Sequence, residues 1–91
     1  MNMNKIPKKS KQIEFKYLEG ETFILHLDKG LFYKLDKVGT DIWKLIDGKR
    51  DTNEIIKIIY TNYEVKRSAL KKDVTDFIEK CIKIGIISVE H

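Results

Sequence analysis

Few residues of this 91-residue chain have the chemistry that catalysis requires. The chain has two histidines, His26 within an apolar, strand-like run and His91 at the last position, and a single cysteine, Cys81. A nucleophile needs a base beside it, and a metal site needs several His, Cys or carboxylate ligands at short spacing. The sequence shows neither pattern, and it has no glycine-rich phosphate loop. We therefore predict a protein that is not an enzyme and that uses no cofactor.

Three residues that invite a functional interpretation have simpler structural ones. Cys81 lies on the apolar stripe of a predicted helix, which favours a buried core thiol over a nucleophile. His26 is expected at the surface or at the boundary of the core. Trp43, the only tryptophan, is expected to anchor the core, with contact to a ligand as the alternative.

Length and composition indicate one soluble globular domain. Charged residues make up 35% of the chain and hydrophobic residues 42%. No apolar run is long enough to cross a bilayer, and the first residues do not resemble a secretory signal. A single cysteine excludes an internal disulfide framework, so a reducing cytoplasm is the expected location. The net charge of +4 is compatible with an acidic partner, either a peptide or a nucleic acid.

The first half of the chain predicts a flexible tail followed by strands. Residues 1–11 are rich in lysine and poor in apolar residues, which indicates a flexible basic tail, so the folded domain is assigned to residues 12–91. Alternating apolar and charged residues from Ile13 predict a first strand, and the segments TFILHLD and LFYKL predict two more. Gly30 supplies the hairpin signal between the last two. The expected arrangement is a three-stranded antiparallel meander.

The second half predicts three helices, because apolar residues recur at helical spacing between capping signals. Asp36 is a candidate N-cap for the first helix, and Asp51 with Glu54 resembles a capping box for the second. The predicted helices run from about Lys37 to Asp47 with Gly48 as the stop, from Asp51 or Thr52 to about Tyr63, and from about Arg67 to Ile84 with Gly85 as the stop. The segment IISV that follows is expected to pack back as a short extended piece. Strands followed by helices indicate an α+β fold.

Binding surfaces are suggested by the third strand and the third helix. The strand LFYKL is an edge with a single lysine as protection, so it is either covered by the third helix or meant to receive another strand. On the helix, the apolar residues Leu70 and Val74 are accompanied by the basic residues Lys66, Arg67, Lys71 and Lys72. This combination suits a groove for an extended peptide with apolar anchors and acidic flanks. An ordinary solvated helix face is the alternative interpretation.

DNA binding is the second hypothesis, in which the chain is a winged-helix transcriptional regulator. The last two helices could form a helix-turn-helix whose basic residues contact phosphates. Two features weigh against it. Arg67 and Ser68 are the only residues suited to reading base edges near the start of the third helix. The strands also precede the helices, whereas a winged helix usually places its hairpin after the reading helix.

An ordered set of short motifs resembles the PqqD-like family, the recognition elements for ribosomally made, post-translationally modified peptides. The resemblance covers about Ile13 to Ile87. Asp36 and Ile86 stand where the family often has Asn and Leu, and each can cap or pack in the same way. The motifs, in chain order, are GLFYKLD from Gly30, GTDIW from Gly39, Asp47-Gly48, TNEI from Thr52, Asp73-Val74 with Phe77-Ile78, and Gly85-Ile86-Ile87.

The resemblance implies a winged-helix-like domain that binds the leader segment of a precursor peptide. The leader adds as a strand to the third strand, lies against the third helix, and is presented to a modifying enzyme: a leader peptidase, a cyclase or a radical SAM enzyme. No nucleic acid or membrane is implied as a partner, and the protein is expected as a monomer or an edge-paired homodimer. The site residues carried over from the family are Leu31, Phe32, Tyr33, Lys34 and Leu35 of the strand and Lys71, Val74, Thr75 and Ile78 of the helix.

Overall fold

The architecture is α+β, as predicted, with a three-stranded antiparallel sheet followed by three helices. A computed structural model describes residues 5–90. In chain order its elements are β1 (Ile6–Lys9), β2 (Ile13–Leu18), β3 (Glu21–His26), β4 (Leu31–Leu35), α1 (Lys37–Leu45), α2 (Thr52–Asn62), α3 (Arg67–Ile84) and β5 (Ile87–Glu90). No helix among these residues is long and apolar enough to cross a membrane.

Strands β2, β3 and β4 form the predicted meander, with β3 in the centre. Gly20 and Gly30 both have positive φ, which lets the chain reverse tightly before β3 and before β4. The alternation of β3 places Thr22, Ile24 and His26 toward the helices, and all three are buried. His26 is therefore not the surface or boundary residue that we expected. Its Nδ1 accepts a hydrogen bond from the backbone N–H of Lys29 at 3.3 Å.

Capping residues set the helix boundaries. The side chain of Asp36 accepts a hydrogen bond from the backbone N–H of Gly39 at 2.8 Å, which confirms it as the N-cap of α1. Asp51 and Glu54 form a complete capping box at the start of α2. Helix α1 ends at Leu45 rather than at Asp47, because the Asp47 carboxylate accepts bonds from the next backbone amides and forms a turn. Gly85 ends α3 in the left-handed conformation, as predicted.

The core lies between β3 and the three helices, and Trp43 is its largest fully buried side chain. This confirms the tryptophan as a core anchor. Thr22 of β3 and Thr40 of α1 are joined by a buried hydrogen bond between their hydroxyl oxygens, 2.7 Å apart. The bond satisfies both hydroxyls without water and fixes α1 on the sheet. The buried apolar residues of α3 are Leu70, Val74, Ile78 and Cys81.

The expected flexible tail over residues 1–11 is wrong for Ile6–Lys9, which form β1. This strand pairs antiparallel with β5, and Ser10 continues the pairing by donating its N–H to the Ile86 carbonyl at 3.0 Å. Residues 1–4 lie outside the described residues. Composition favoured a solvated segment, but a strand at the far end of the chain supplies its backbone partners. The extended segment after Gly85 is confirmed as that strand.

Lys9 fastens β1 to the rest of the molecule. Its ammonium lies 5.3 Å from the ring centres of both Phe15 and Trp43, and it donates a hydrogen bond to the Ile46 carbonyl at 2.8 Å. Burial lowers the pKa of Lys9, while the charge of Asp47 acts in the opposite direction. The ammonium is thus partly desolvated and held by aromatic faces and a carbonyl. We infer that these contacts stabilise a lysine-rich segment as part of the folded domain.

Replacing Lys9 by Met should lower stability without removing the fold. The change keeps most of the aliphatic stem but loses the cation–π contacts and the bond to the Ile46 carbonyl, which together contribute about 1–2 kcal/mol. Urea unfolding followed by tryptophan fluorescence measures the difference. Lys11→Met, at an exposed turn position, is the matched control and should leave the midpoint unchanged. Equal midpoints for both variants would contradict this role of Lys9.

Candidate functional site: the edge of β4 and the adjoining groove

Strand β4 is an edge strand, since the sheet order is β2-β3-β4 within the described part of the chain. The direction in which the backbone N–H and C=O groups of β4 point can be inferred from a hydrogen bond between the end of β3 and the start of β2. The N–H of Leu27 donates to the Gln12 carbonyl at 2.8 Å, so it points toward β2. Backbone groups alternate along a strand, so Ile24 directs its own groups toward β4, where it pairs with Tyr33.

It follows that Phe32 and Lys34 direct their backbone N–H and C=O groups outward from the sheet. Leu31, Tyr33 and Leu35 direct theirs to β3, with which they are paired. Phe32 is also the most exposed of the large hydrophobic side chains, at 75%. The edge therefore offers two N–H donors and two carbonyl acceptors, at the spacing that an additional strand requires. The sequence left open whether Phe32 or Tyr33 has its N–H outward, and the pairing assigns it to Phe32.

A groove of about 380 Å³ lies between this edge and α3. Apolar side chains from both elements form most of its lining, and charged side chains stand among them. Helix α3 therefore borders the strand without filling the space next to it. The lining residues are Tyr33, Lys34, Leu35, Asp36, Phe77, Lys80, Cys81 and Ile84.

Gly39 allows Phe77 to reach the groove. A Cβ atom at position 39 would lie 3.1 Å from the Phe77 ring and 3.3 Å from the Leu35 side chain, closer than ordinary van der Waals contact. The first turn of α1 thus leaves room for the ring next to the end of β4. This explains in physical terms why a glycine within a helix, normally destabilising, occurs at this position.

Electrostatic conditions in the groove favour binding over reaction. Burial raises the pKa of the Cys81 thiol to about 12, and the neighbouring Lys80 opposes the shift only in part. The thiol is therefore protonated at neutral pH and is not a nucleophile. Among residues 5–89, no group of three or more His, Cys, Asp or Glu side chains could hold a metal ion.

The predicted site residues divide into two sets. Leu31 to Leu35 all lie on the edge strand, and three of them line the groove. From the predicted helix set, Val74 and Ile78 are completely buried in the core, and Lys71 and Thr75 do not line the groove. The groove uses the neighbouring stripe of α3 instead, formed by Phe77, Lys80, Cys81 and Ile84. Phe77 and Ile84 were visible as apolar residues at helical spacing, but their half-burial was not.

Comparison with known proteins identifies the family of this chain. Residues 21–87 match the family described as Coenzyme PQQ synthesis protein D (PqqD). A solved structure of TbiB1 in complex with the TbiA(beta) leader peptide is 28% identical, with a TM-score of 0.84 over 89% of this chain and 94% of that one. A lasso peptide synthetase B1 complexed with the leader peptide is 13% identical and shares the fold, with a TM-score of 0.82 over 90% and 96% of the two chains. No curated protein sequence matches. The matched segment contains β3, β4 and all three helices, and the chain belongs to the PqqD family.

Proposed function

We propose that this protein binds the leader segment of a ribosomally made precursor peptide and presents it to a modifying enzyme. The observation that carries the proposal is the unpaired edge of β4 beside an apolar groove. The leader adds as a fourth strand next to β4, and its side chains on one face enter the groove against α3. The partner enzyme is a leader peptidase, a cyclase or a radical SAM enzyme.

Strand addition uses two kinds of interaction that the site provides. Backbone hydrogen bonds to Phe32 and Lys34 supply affinity that does not depend on the peptide sequence, and the groove supplies selectivity for alternate side chains. Because the lining of the groove is mainly apolar, each inserted aliphatic or aromatic side chain contributes at most about 1.5–3 kcal/mol, the value for complete burial. The structure of TbiB1, which is 28% identical to this chain, is a complex with a leader peptide, which supports leader binding by this chain.

The protein acts by binding and not by catalysis. Cys81 is held as a neutral thiol, and the ring of His26 is buried beside the hairpin that precedes β4. We expect a precursor peptide incubated with the purified protein to keep its mass unchanged. Mass spectrometry of the peptide after prolonged incubation checks this, and cleavage or modification by the isolated protein would contradict it. The proposed location is the cytoplasm, where precursor peptides are synthesised.

A salt titration separates peptide binding from the DNA hypothesis. Contacts to six or more phosphates would weaken affinity by about a thousandfold or more between roughly 50 and 200 mM salt. Strand addition with apolar anchors should lose less than about tenfold, because short-range contacts are screened little. Fluorescence polarisation with the labelled leader peptide of a candidate precursor, and with a labelled DNA duplex, measures the salt dependence of both affinities. Specific, salt-sensitive duplex binding without peptide binding would favour DNA.

The oligomeric state is linked to the same edge. The protein is proposed to be a monomer, or a homodimer in which the β4 strands of two copies pair. A leader peptide would occupy the backbone groups that such a dimer uses, so binding and dimerisation are expected to exclude each other. Sedimentation with and without the leader peptide should show one peptide bound to one protein chain.

A further inference from the structure

The charges around the groove define which peptides it accepts, an inference that rests on the proposed strand addition. We infer that the groove selects a peptide strand in which an acidic residue stands between two apolar residues, with the acidic residue at the position paired with Lys34. The reasons lie in the register of β4 and in the exposed Lys34 side chain on its outer face.

The register determines which peptide side chains enter the groove. Residues directly opposite each other on neighbouring strands point to the same face of a sheet. Tyr33 and Leu35 line the groove, so peptide residues opposite them point into it, toward Phe77 and Ile84. The intervening peptide residue, opposite Lys34, points with the Lys34 side chain to the outer face. Two apolar residues separated by one position therefore match the groove.

The Lys34 side chain creates the preference for a negative charge on the outer face of the sheet. Lys34 forms an ion pair with Glu21 at 3.2 Å, but its side chain is 58% exposed, and an ammonium has three donors. Lys80 lies on the α3 side of the groove, on the opposite face of the sheet, so it does not contribute to this preference. A carboxylate next to Lys34 is thus attracted by its ammonium, whereas a lysine at the same position is repelled.

The size of the preference is modest because the Lys34 ammonium is in contact with water. A single exposed ion pair changes affinity by no more than about fivefold. Replacing the acidic residue by Gln should therefore weaken binding about threefold, and replacing it by Lys about tenfold, since attraction then becomes repulsion. The apolar positions carry most of the affinity, and the acidic position carries the discrimination between peptides.

Selection from a yeast-displayed library of random peptides tests the inference and does not require the leader sequence. The purified protein should enrich peptides with two apolar residues separated by one Asp or Glu. Synthetic Gln and Lys versions of the most enriched peptide then give the fold-changes by fluorescence polarisation. Lys34→Glu, which keeps the outward backbone N–H, should reverse the preference between the acidic and Lys peptides. Lys72→Glu, exposed on α3 but outside the groove, is the matched control and should preserve it.

The possible results distinguish a failure of the charge selection from a failure of the proposed strand addition. Enriched alternating apolar peptides without an acidic residue, or an unchanged preference in a folded Lys34→Glu variant, would overturn the charge selection and leave strand addition in place. Enriched peptides that bind equally well when the outward N–H of position 32 is removed by Phe32→Pro would contradict strand addition itself. Circular dichroism of each variant confirms that the fold is intact before its preference is compared.

Discussion

Phe32→Pro is expected to abolish leader binding while the stability of the protein is largely kept, and Tyr33→Pro is expected to destabilise the fold strongly. The two residues are neighbours on β4 but direct their N–H groups to opposite sides. Proline at position 32 removes a donor that faces outward and places its ring in the path of the incoming strand. Binding should fall by about a hundredfold or more, because the added strand loses a backbone hydrogen bond and the proline ring blocks its position.

The same substitution one residue later acts on the sheet. Tyr33 pairs with Ile24 of the central strand, so its N–H belongs to the ladder that holds β4 in place. Losing this bond and straining the backbone costs about 3 kcal/mol or more, which lowers the melting temperature by roughly 15 °C in a domain of this size. Circular dichroism melting gives the melting temperature of each variant, and fluorescence polarisation with the leader peptide gives its affinity.

Phe32→Ala is the matched control for the proline pair. It removes the exposed ring but keeps the outward N–H, so the loss of binding should be much smaller than for Phe32→Pro. A folded Phe32→Pro variant that binds the leader at full strength would exclude strand addition to β4. Proline effects of equal size on stability at positions 32 and 33 would show that the assignment of backbone directions is wrong.

Substitutions on two sides of α3 are expected to act differently, because one side packs into the core and the other lines the groove. Ile78→Asp should unfold the protein, because Ile78 is completely buried and an isolated carboxylate in the core costs more than a domain of this size can tolerate. Ile84→Gln should leave the fold intact, because Ile84 is half-buried at the helix end. It should weaken leader binding about tenfold by removing an apolar contact surface from the groove.

Lys71→Ala is the control on the same helix, since Lys71 is exposed and does not line the groove. It should affect neither the melting temperature nor the affinity. A folded Ile78→Asp variant that fails to bind the leader would instead favour the sequence-based placement of Ile78 in the site. Full affinity of Ile84→Gln, with the variant folded, would show that this end of the groove does not contact the peptide.

Caps and periodicity explain why the helices could be predicted closely. Helix α3 occupies the predicted residues, because Gly85 provides a left-handed stop that few other residues adopt at low cost. The Asp51 capping box likewise determines where α2 begins. These signals act over three or four residues, so they are readable from the local sequence. The end of α1 was less predictable, since Asp47 competes for nearby amides.

The groove residues of α3 were harder to predict, because the apolar stripe of this helix is wider than the part that the core covers. Val74 and Phe77 both continue the stripe, but the core buries Val74 and leaves Phe77 half-buried at the groove. The difference depends on where β4 lies relative to the helix. It also depends on Gly39, whose missing side chain leaves space for the Phe77 ring. Neither the position of β4 nor the space at Gly39 can be inferred from the sequence of α3 alone.

The sequence by itself determined the meander and the three helices with their caps, because each depends on residues that are close along the chain. It also indicated the family, because the order and spacing of short motifs can be read directly from the sequence. Tertiary structure alone decided that residues 6–9 form a strand, since this strand pairs with residues 87–90 and the Lys9 ammonium contacts the rings of Phe15 and Trp43. It also decided which backbone groups of β4 face outward, and which side of α3 lines the groove. Pairing register and packing join residues far apart in sequence, so only the folded chain expresses them.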